Sequence, residues 1–200
     1  MIDAPLTLVT GGSAGIGAAI VKDLGKAGHR LAFSYFRNRD AAEALVADLS
    51  ANGVDCVAYQ ADLSTAGAGH TLAKTVLERQ GTVTFLVNNV GPGAATPFGP
   101  GLAAQATEMF QRNVSAGLEL AEVLVPHMQD GSAILNISSL NGRFPPARVS
   151  AFAASKPHWM PSPRHWRRNW VRKAFGFSVS LPAPSNATTR HDPKTSAPRS

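Results

Sequence analysis

The residues with the clearest chemical content lie in the run Thr10-Gly11-Gly12-Ser13-Ala14-Gly15-Ile16-Gly17. Leu6–Thr10 before it reads as a strand, and Ile16, Ile20 and Leu24 recur at helical spacing after it, up to Gly28. A glycine-rich turn from strand to helix lets the backbone approach a pyrophosphate. The helix N-terminus adds free N–H groups and the positive end of its dipole. The spacing is TGxxxGxG rather than GxGxxG, and a tight turn needs glycines in any case. By itself the motif leaves a phosphate cradle and a structural corner both open.

The end of the second strand adds a choice of cofactor. Dinucleotide sites that take NAD(H) place an acid there, about twenty residues past the glycines, on the ribose hydroxyls. Here Tyr35 and Phe36 hold that place, and Arg37, Asn38 and Arg39 follow. A guanidinium can pair with a 2′-phosphate through two hydrogen bonds. NADP(H) is therefore favoured over NAD(H), against the alternative that Arg37 and Arg39 are solvated charges at a helix entrance.

Polar residues also close the later strands. Asp62-Leu63 follows the third strand, and Asn88-Asn89-Val90-Gly91 ends the fourth. Asn136-Ile137-Ser138-Ser139 ends the fifth, Asn113 falls inside a long helical stretch, and Phe152-Ala153-Ala154-Ser155-Lys156 comes last. Singly these residues fit structural roles: Ser139 a turn cap, Asn113 an exposed helix residue, Lys156 a solvated charge. Positions 152 and 156, four apart, share one helix face. In this order, over residues 5–156, the motifs resemble those of the short-chain dehydrogenase/reductase family. Val90 replaces an alanine of its NNAG element, and Phe152 replaces the tyrosine of its YxxxK motif.

The resemblance implies an oxidoreductase that moves a hydride between the nicotinamide and a small carbonyl or alcohol substrate. It assigns Gly11, Ser13, Ala14, Gly15, Ile16 and Gly17 to the phosphates, and Asp62 and Leu63 to the adenine. Asn89, Val90, Gly91 and Lys156 complete the cofactor contacts, with Arg37 and Asn38 at the 2′-phosphate. It further implies that Ser139 holds the carbonyl oxygen, that Lys156 lowers the tyrosine's pKa, and that Asn113 holds a water of the proton relay. A phenyl ring fills the tyrosine's space but has no proton to give, and losing a general acid costs about 10²–10⁴-fold in rate. The motifs thus support NADP(H) binding more firmly than turnover, and a catalytically inactive NADP(H)-binding protein is the alternative.

These residues need a scaffold, and the apolar pattern supplies one. Short apolar runs at Leu31–Tyr35, Cys56–Gln60, Phe85–Asn88 and Ala133–Ile137 alternate with helical stretches near 40–50, 66–80 and 105–127. The last of these has Phe110, Val114, Ala121 and Val125 on one face, and a further helix starts near Val149. Repeated strand–helix units imply an α/β fold, a doubly wound, Rossmann-like parallel sheet over residues 1–156. No run is long and apolar enough to span a membrane, and the N-terminus has no secretory pattern. The single cysteine, Cys56, excludes a disulfide framework, so the cytoplasm is the expected compartment.

Composition breaks at Lys156. Residues 1–156 carry 11 Lys/Arg and 12 Asp/Glu, whereas 157–200 carry eight Lys/Arg, one acid, all three tryptophans and seven of the fourteen prolines. Residues 157–200 therefore read as a basic, disordered tail. Its Arg/Trp run at 164–173 has the look of a nucleic-acid or membrane-surface segment. The genetic code offers a plainer reading. Read from the third base of each codon, His158-Trp159, His165-Trp166 and Asn169-Trp170 each force Leu, Trp159-Met160 forces Asp, Met160-Pro161 forces Ala and Trp170-Val171 forces Gly. With permissive choices elsewhere this becomes ALDAL and, further on, a PG loop, which the family places directly after its lysine. One base lost after the Lys156 codon accounts for the tail, leaving neither nucleic acid nor membrane as an expected partner. The sheet is then incomplete on its C-terminal side, Ala133–Ile137 is expected as an exposed edge prone to pairing with other chains, and the family's usual homodimer or homotetramer is in doubt.

Overall fold

The computed structural model describes residues 4–91, 93, 95–142, 144–156 and 176–178. In chain order the elements are β1 (Leu6–Val9), α1 (Gly15–Lys26), β2 (Arg30–Tyr35), α2 (Arg39–Ala51), β3 (Cys56–Gln60), α3 (Ala68–Gln80) and β4 (Phe85–Asn88). They continue with α4 (Leu102–Phe110), a π-helical turn (Gln111–Ser115), α5 (Ala116–Leu124), β5 (Ala133–Asn136), α6 (Ser150–Ser155) and β6 (Gly176–Ser178). The strands form one parallel sheet in the order β3-β2-β1-β4-β5-β6. Strand order reverses between β1 and β4, and the crevice beyond the C-terminal strand ends at such a reversal is where this architecture binds ligands.

Successive side chains of a strand point to opposite faces, and the sheet uses both. Leu8, Leu86 and Ile134 pack with Leu72 and Val76 of α3 and with Leu120 and Leu124 of α5. On the other face Val9, Phe33 and Val87 pack with Val21 of α1 and with Leu45 and Leu49 of α2. Strands buried on both sides show no alternation in sequence, only short apolar runs, as read above. Cys56 is buried among them, and burial, with Asp55 beside it, pushes its thiol up to about 12.

Three readings change. The long helix at 105–127 is two α-helices joined by the π turn and ended by a 3₁₀ turn at Val125–His127. Its buried row runs through Met109, Asn113, Ala116, Leu120 and Leu124 rather than through Phe110, Val114 and Val125. A polar residue in mid-row conceals such a face from hydrophobic periodicity. Thirdly, β5 is not the bare edge expected of it, because Gly176–Ser178 pairs with it in parallel, Ala133 opposite Gly176 and Leu135 opposite Ser178. Strand pairing satisfies main-chain N–H and C=O groups whatever the side chains, and the chain between Lys156 and Gly176 exceeds the dozen residues a parallel crossover needs. These three residues depart from the disordered tail expected over 157–200. The rest of that tail, with its Arg/Trp run, lies outside the described residues.

Candidate active site

The turn after β1 is fixed from two sides. Thr10 Oγ1 accepts hydrogen bonds from the backbone N–H groups of Asn89 (2.9 Å) and Val90 (3.0 Å). Asn89 Nδ2 in return donates to the carbonyls of Thr10 (2.9 Å) and Gly11 (3.2 Å). Ser34 Oγ accepts from the Gly11 N–H at 3.1 Å. These bonds hold the glycine turn against the ends of β2 and β4. Gly17 is required there, since a Cβ would lie 2.1 Å from the Gly11 carbonyl oxygen. Gly15 differs: its φ is +52°, it is exposed, and a Cβ would meet no atom within 4 Å. It faces open space. Ala14, the N-cap of α1, makes no side-chain cap, and the first turn carries no acid. Its N–H groups are therefore met by no side chain of the turn, which suits a phosphate.

A cleft of about 850 Å³ opens in front of this turn, across the C-terminal strand ends. Gly11, Ser13–Gly17, Arg37 and Asn38 line one part of it. Asp62 and Leu63 after β3, and Asn89, Val90 and Gly91 after β4, line the middle. Ser139, Phe152 and Lys156 line the far part. Arg37 lies 4.8 Å from the centroid of the half-exposed Phe36 ring. Arg39 faces elsewhere, bonding Glu43 at 3.4 Å and Gln60 at 3.3 Å. The side-chain bond from Ser64, helped by the Ser64 backbone bond and the positive charges of Arg112 and Arg37, holds the Asp62 carboxyl below its ordinary range and outweighs burial, which raises it.

At the far part, Lys156 is only 3% exposed. Its Nζ donates to the Ile137 carbonyl at 3.2 Å and lies 5.6 Å from the centre of the Phe152 ring, itself buried. Burial pushes the lysine's pKa down. Gly91 admits this ammonium, for a Cβ there would come within 2.2 Å of Nζ. Ser139 Oγ accepts from the Asn141 N–H at 3.2 Å, and Ser138 Oγ donates to the Lys156 carbonyl at 3.3 Å. Asn113 does not line the cleft. It sits behind it, in the π turn and 3% exposed, where Nδ2 donates to Ser155 Oγ at 2.7 Å. A cavity of about 10 Å³, bordered by Thr10, Asn88, Arg112 and Asn113, adjoins it, near the size of one water.

Two contributors carry no sequence signal. Thr96 is buried in the segment between β4 and α4, and its Oγ1 accepts the Ala151 N–H at 3.0 Å while its carbonyl accepts from Ser150 Oγ at 2.7 Å. It thereby caps α6 and sets the helix that carries Phe152 and Lys156. Glu119 of α5 accepts from the N–H groups of Gly67 (3.0 Å) and Gly69 (2.9 Å) and from Gln111 Nε2 (3.0 Å). It ties the start of α3 to the π turn. Burial raises its pKa, but those three bonds and His70 outweigh burial and lower it. No helix among the described residues is long and apolar enough to cross a membrane.

Comparison with known proteins places this arrangement among relatives. The family model for short chain dehydrogenases matches residues 5–195. A cyclic-di-GMP-binding biofilm dispersal mediator protein of Escherichia coli K12 is 32% identical over 181 residues, covering 88% of this chain and 71% of that protein. A 3-oxoacyl-[acyl-carrier-protein] reductase of Staphylococcus aureus Mu50 is 31% identical over 137 residues, 68% of this chain and 56% of the reductase. The chain thus spans little more than half the length of some curated relatives. The structure of a blue fluorescent protein from a metagenomic library, in complex with NADPH, superposes with a TM-score of 0.81 at 32% identity. That superposition covers 88% of this chain and 72% of the other.

Proposed function

This chain belongs to the short-chain dehydrogenase family, and from that premise we propose that it binds NADP(H), in preference to NAD(H), as an oxidoreductase impaired in turnover. The observation that supports the reading is the single cleft that gathers the glycine turn, Arg37, Asp62, Gly91, Ser139 and Lys156. The uncapped first turn of α1 and the open space at Gly15 fit a diphosphate, and Arg37 fits a 2′-phosphate. When bound, the nicotinamide supplies the hydride.

The chain's own groups do the rest. Ser139 would donate a hydrogen bond from its hydroxyl to a carbonyl oxygen, Lys156 would hold the nicotinamide ribose, and Asn113 would steady the α6 helix end and a water behind the site. Position 152 has the place of a proton donor without the proton. Phe152 keeps the pocket dry and packs beside the Lys156 ammonium, but it leaves a reduced carbonyl oxygen without its acid. That observation favours a second reading, an NADP(H)-binding protein without turnover. The substrate class is a small ketone or alcohol, for which the 3-oxoacyl group in the name of the S. aureus relative is a guide. The working compartment is the cytoplasm, with neither nucleic acid nor membrane as a partner.

The reading frame past Lys156 lacks one base, and the coding sequence across codons 150–165 tests this. Codons incompatible with ALDAL and a PG loop overturn it. Turnover is tested by following NADPH consumption with a panel of ketones. The chain as it stands gives no more than its Ser139→Ala variant, Phe152→Tyr alone does not recover activity, and Phe152→Tyr with the frame restored does. Activity of the unaltered chain above that of Ser139→Ala contradicts the assignment of the site.

A further inference from the structure

We propose that Lys156 is an amine nucleophile that captures small aldehydes in the cleft as an imine on its Nζ. This activity goes beyond the hydride transfer proposed above, needs no nucleotide, and follows from the departure at position 152.

Lys156 directly follows α6, and its Nζ lies 5.6 Å from the centre of the Phe152 ring one turn earlier. Both side chains are buried and both line the cleft, so the nitrogen is shielded from bulk solvent yet stands on the wall that a ligand meets. The protein gives it one hydrogen-bond acceptor, the Ile137 carbonyl at 3.2 Å. No ion pair among the described residues includes it. The two acids that line the cleft are engaged elsewhere, Asp62 with Ser64 and Glu108 with Arg112. A buried lysine without a counter-charge is an arrangement that disfavours the ammonium. Phe152 returns only a weak attraction from its ring face, and burial pushes the pKa of Lys156 down.

The reaction is complete in itself. Only the unprotonated amine has a lone pair for a carbonyl carbon, and desolvation in an apolar pocket raises its share at neutral pH. The lone pair forms the C–N bond as the carbonyl π bond breaks onto oxygen. That oxygen takes up two protons, the equivalent of the two that the nitrogen gives up, and departs as water to leave C=N. No oxidant or reductant enters the balance. Ser139 lines the same part of the cleft, and its Oγ accepts from the Asn141 N–H at 3.2 Å. Its own hydrogen can then meet the oxygen on which charge develops. Gly91 lies so close to the nitrogen that a Cβ there would come within 2.2 Å of it. That wall admits a short, unbranched aldehyde better than a ketone with two arms. Without a proton donor at 152, the captured carbonyl is not drawn off as alcohol.

The test treats the full, folded chain at neutral pH with limiting propanal and cyanoborohydride, which fixes an imine as a propyl amine. Peptide mass mapping then reads the rate at each lysine. Lys22 and Lys26, with side chains 51% and 79% exposed, are the internal references. Lys156 should be propylated at least about 10-fold faster than either. Ser139→Ala, checked for folding by circular dichroism, should slow Lys156 by about 10-fold or more and leave the references unchanged. Equal rates at Lys156 and the references overturn the inference, as does a Lys156 left unmodified or a Ser139→Ala rate equal to that of the unaltered chain. Saturating NADPH, which the function proposed above places on Lys156, should protect it. Fast labelling that ignores NADPH supports the nucleophile and counts against that function instead.

Discussion

Gly91→Ala probes the coupling between the β4 turn and the buried lysine. The new Cβ comes within 2.2 Å of Lys156 Nζ and 2.9 Å of its Cε, with Asn113 Oδ1 3.3 Å away. The lysine terminus is the part that can yield, and in yielding it gives up the 3.2 Å bond to the Ile137 carbonyl. A hydrogen bond to a charged group contributes about 1.5–3 kcal/mol. Lys156 is 3% exposed, so solvent does little to replace the bond. We expect a destabilisation of about 2–3 kcal/mol, a fall in Tm of about 4–12 °C for a chain of this size. The assay is thermal unfolding by circular dichroism, run as a double-mutant cycle with Lys156→Ala. Once the ammonium is gone, Gly91→Ala should cost less than about 0.5 kcal/mol. An unchanged Tm in Gly91→Ala, or the same loss with and without the lysine, refutes the reasoning.

Two further outcomes follow from the same contacts. Thr96→Val removes the cap of α6 and should cost about 1 kcal/mol, seen as a lower denaturant midpoint and faster amide exchange at Ala151 and Phe152. Glu119 has a folded pKa below its unfolded one, so its stabilisation is complete above the ordinary glutamate range and is lost as pH falls through that range to the folded value. Glu119→Gln should therefore lower stability at neutral pH and flatten the loss on acidification, measured as urea midpoints against pH; parallel curves for both proteins count against the clamp.

Much of the fold was legible because parallel strands announce themselves as short apolar runs. Cys56–Gln60 and Phe85–Asn88 run as the sequence implied. The candidate site was legible where backbone chemistry demands a residue type: only glycine fits position 17 against the Gly11 carbonyl, and only glycine leaves room at 91 for the lysine. Other features depend on partners remote in sequence. The π turn at Gln111–Ser115 has no period to betray it, although such turns recur at functional sites. Thr96 reads as a loop threonine until α6 packs on it. Arg112 reads as half of an i,i+4 surface pair until the strand ends close beside it. The pairing of Gly176–Ser178 with β5 uses main-chain groups that every sequence possesses.

The most direct test of the cleft as an NADP(H) site is calorimetric titration of the full chain with NADPH and NADH, repeated with Arg37→Ala. A guanidinium on the 2′-phosphate contributes about 1.5–3 kcal/mol, so saturable one-to-one binding is expected with NADPH about 10- to 100-fold tighter than NADH, and Arg37→Ala should erase that difference while leaving NADH unchanged. A folded chain that binds neither nucleotide, or whose preference survives Arg37→Ala, contradicts the account.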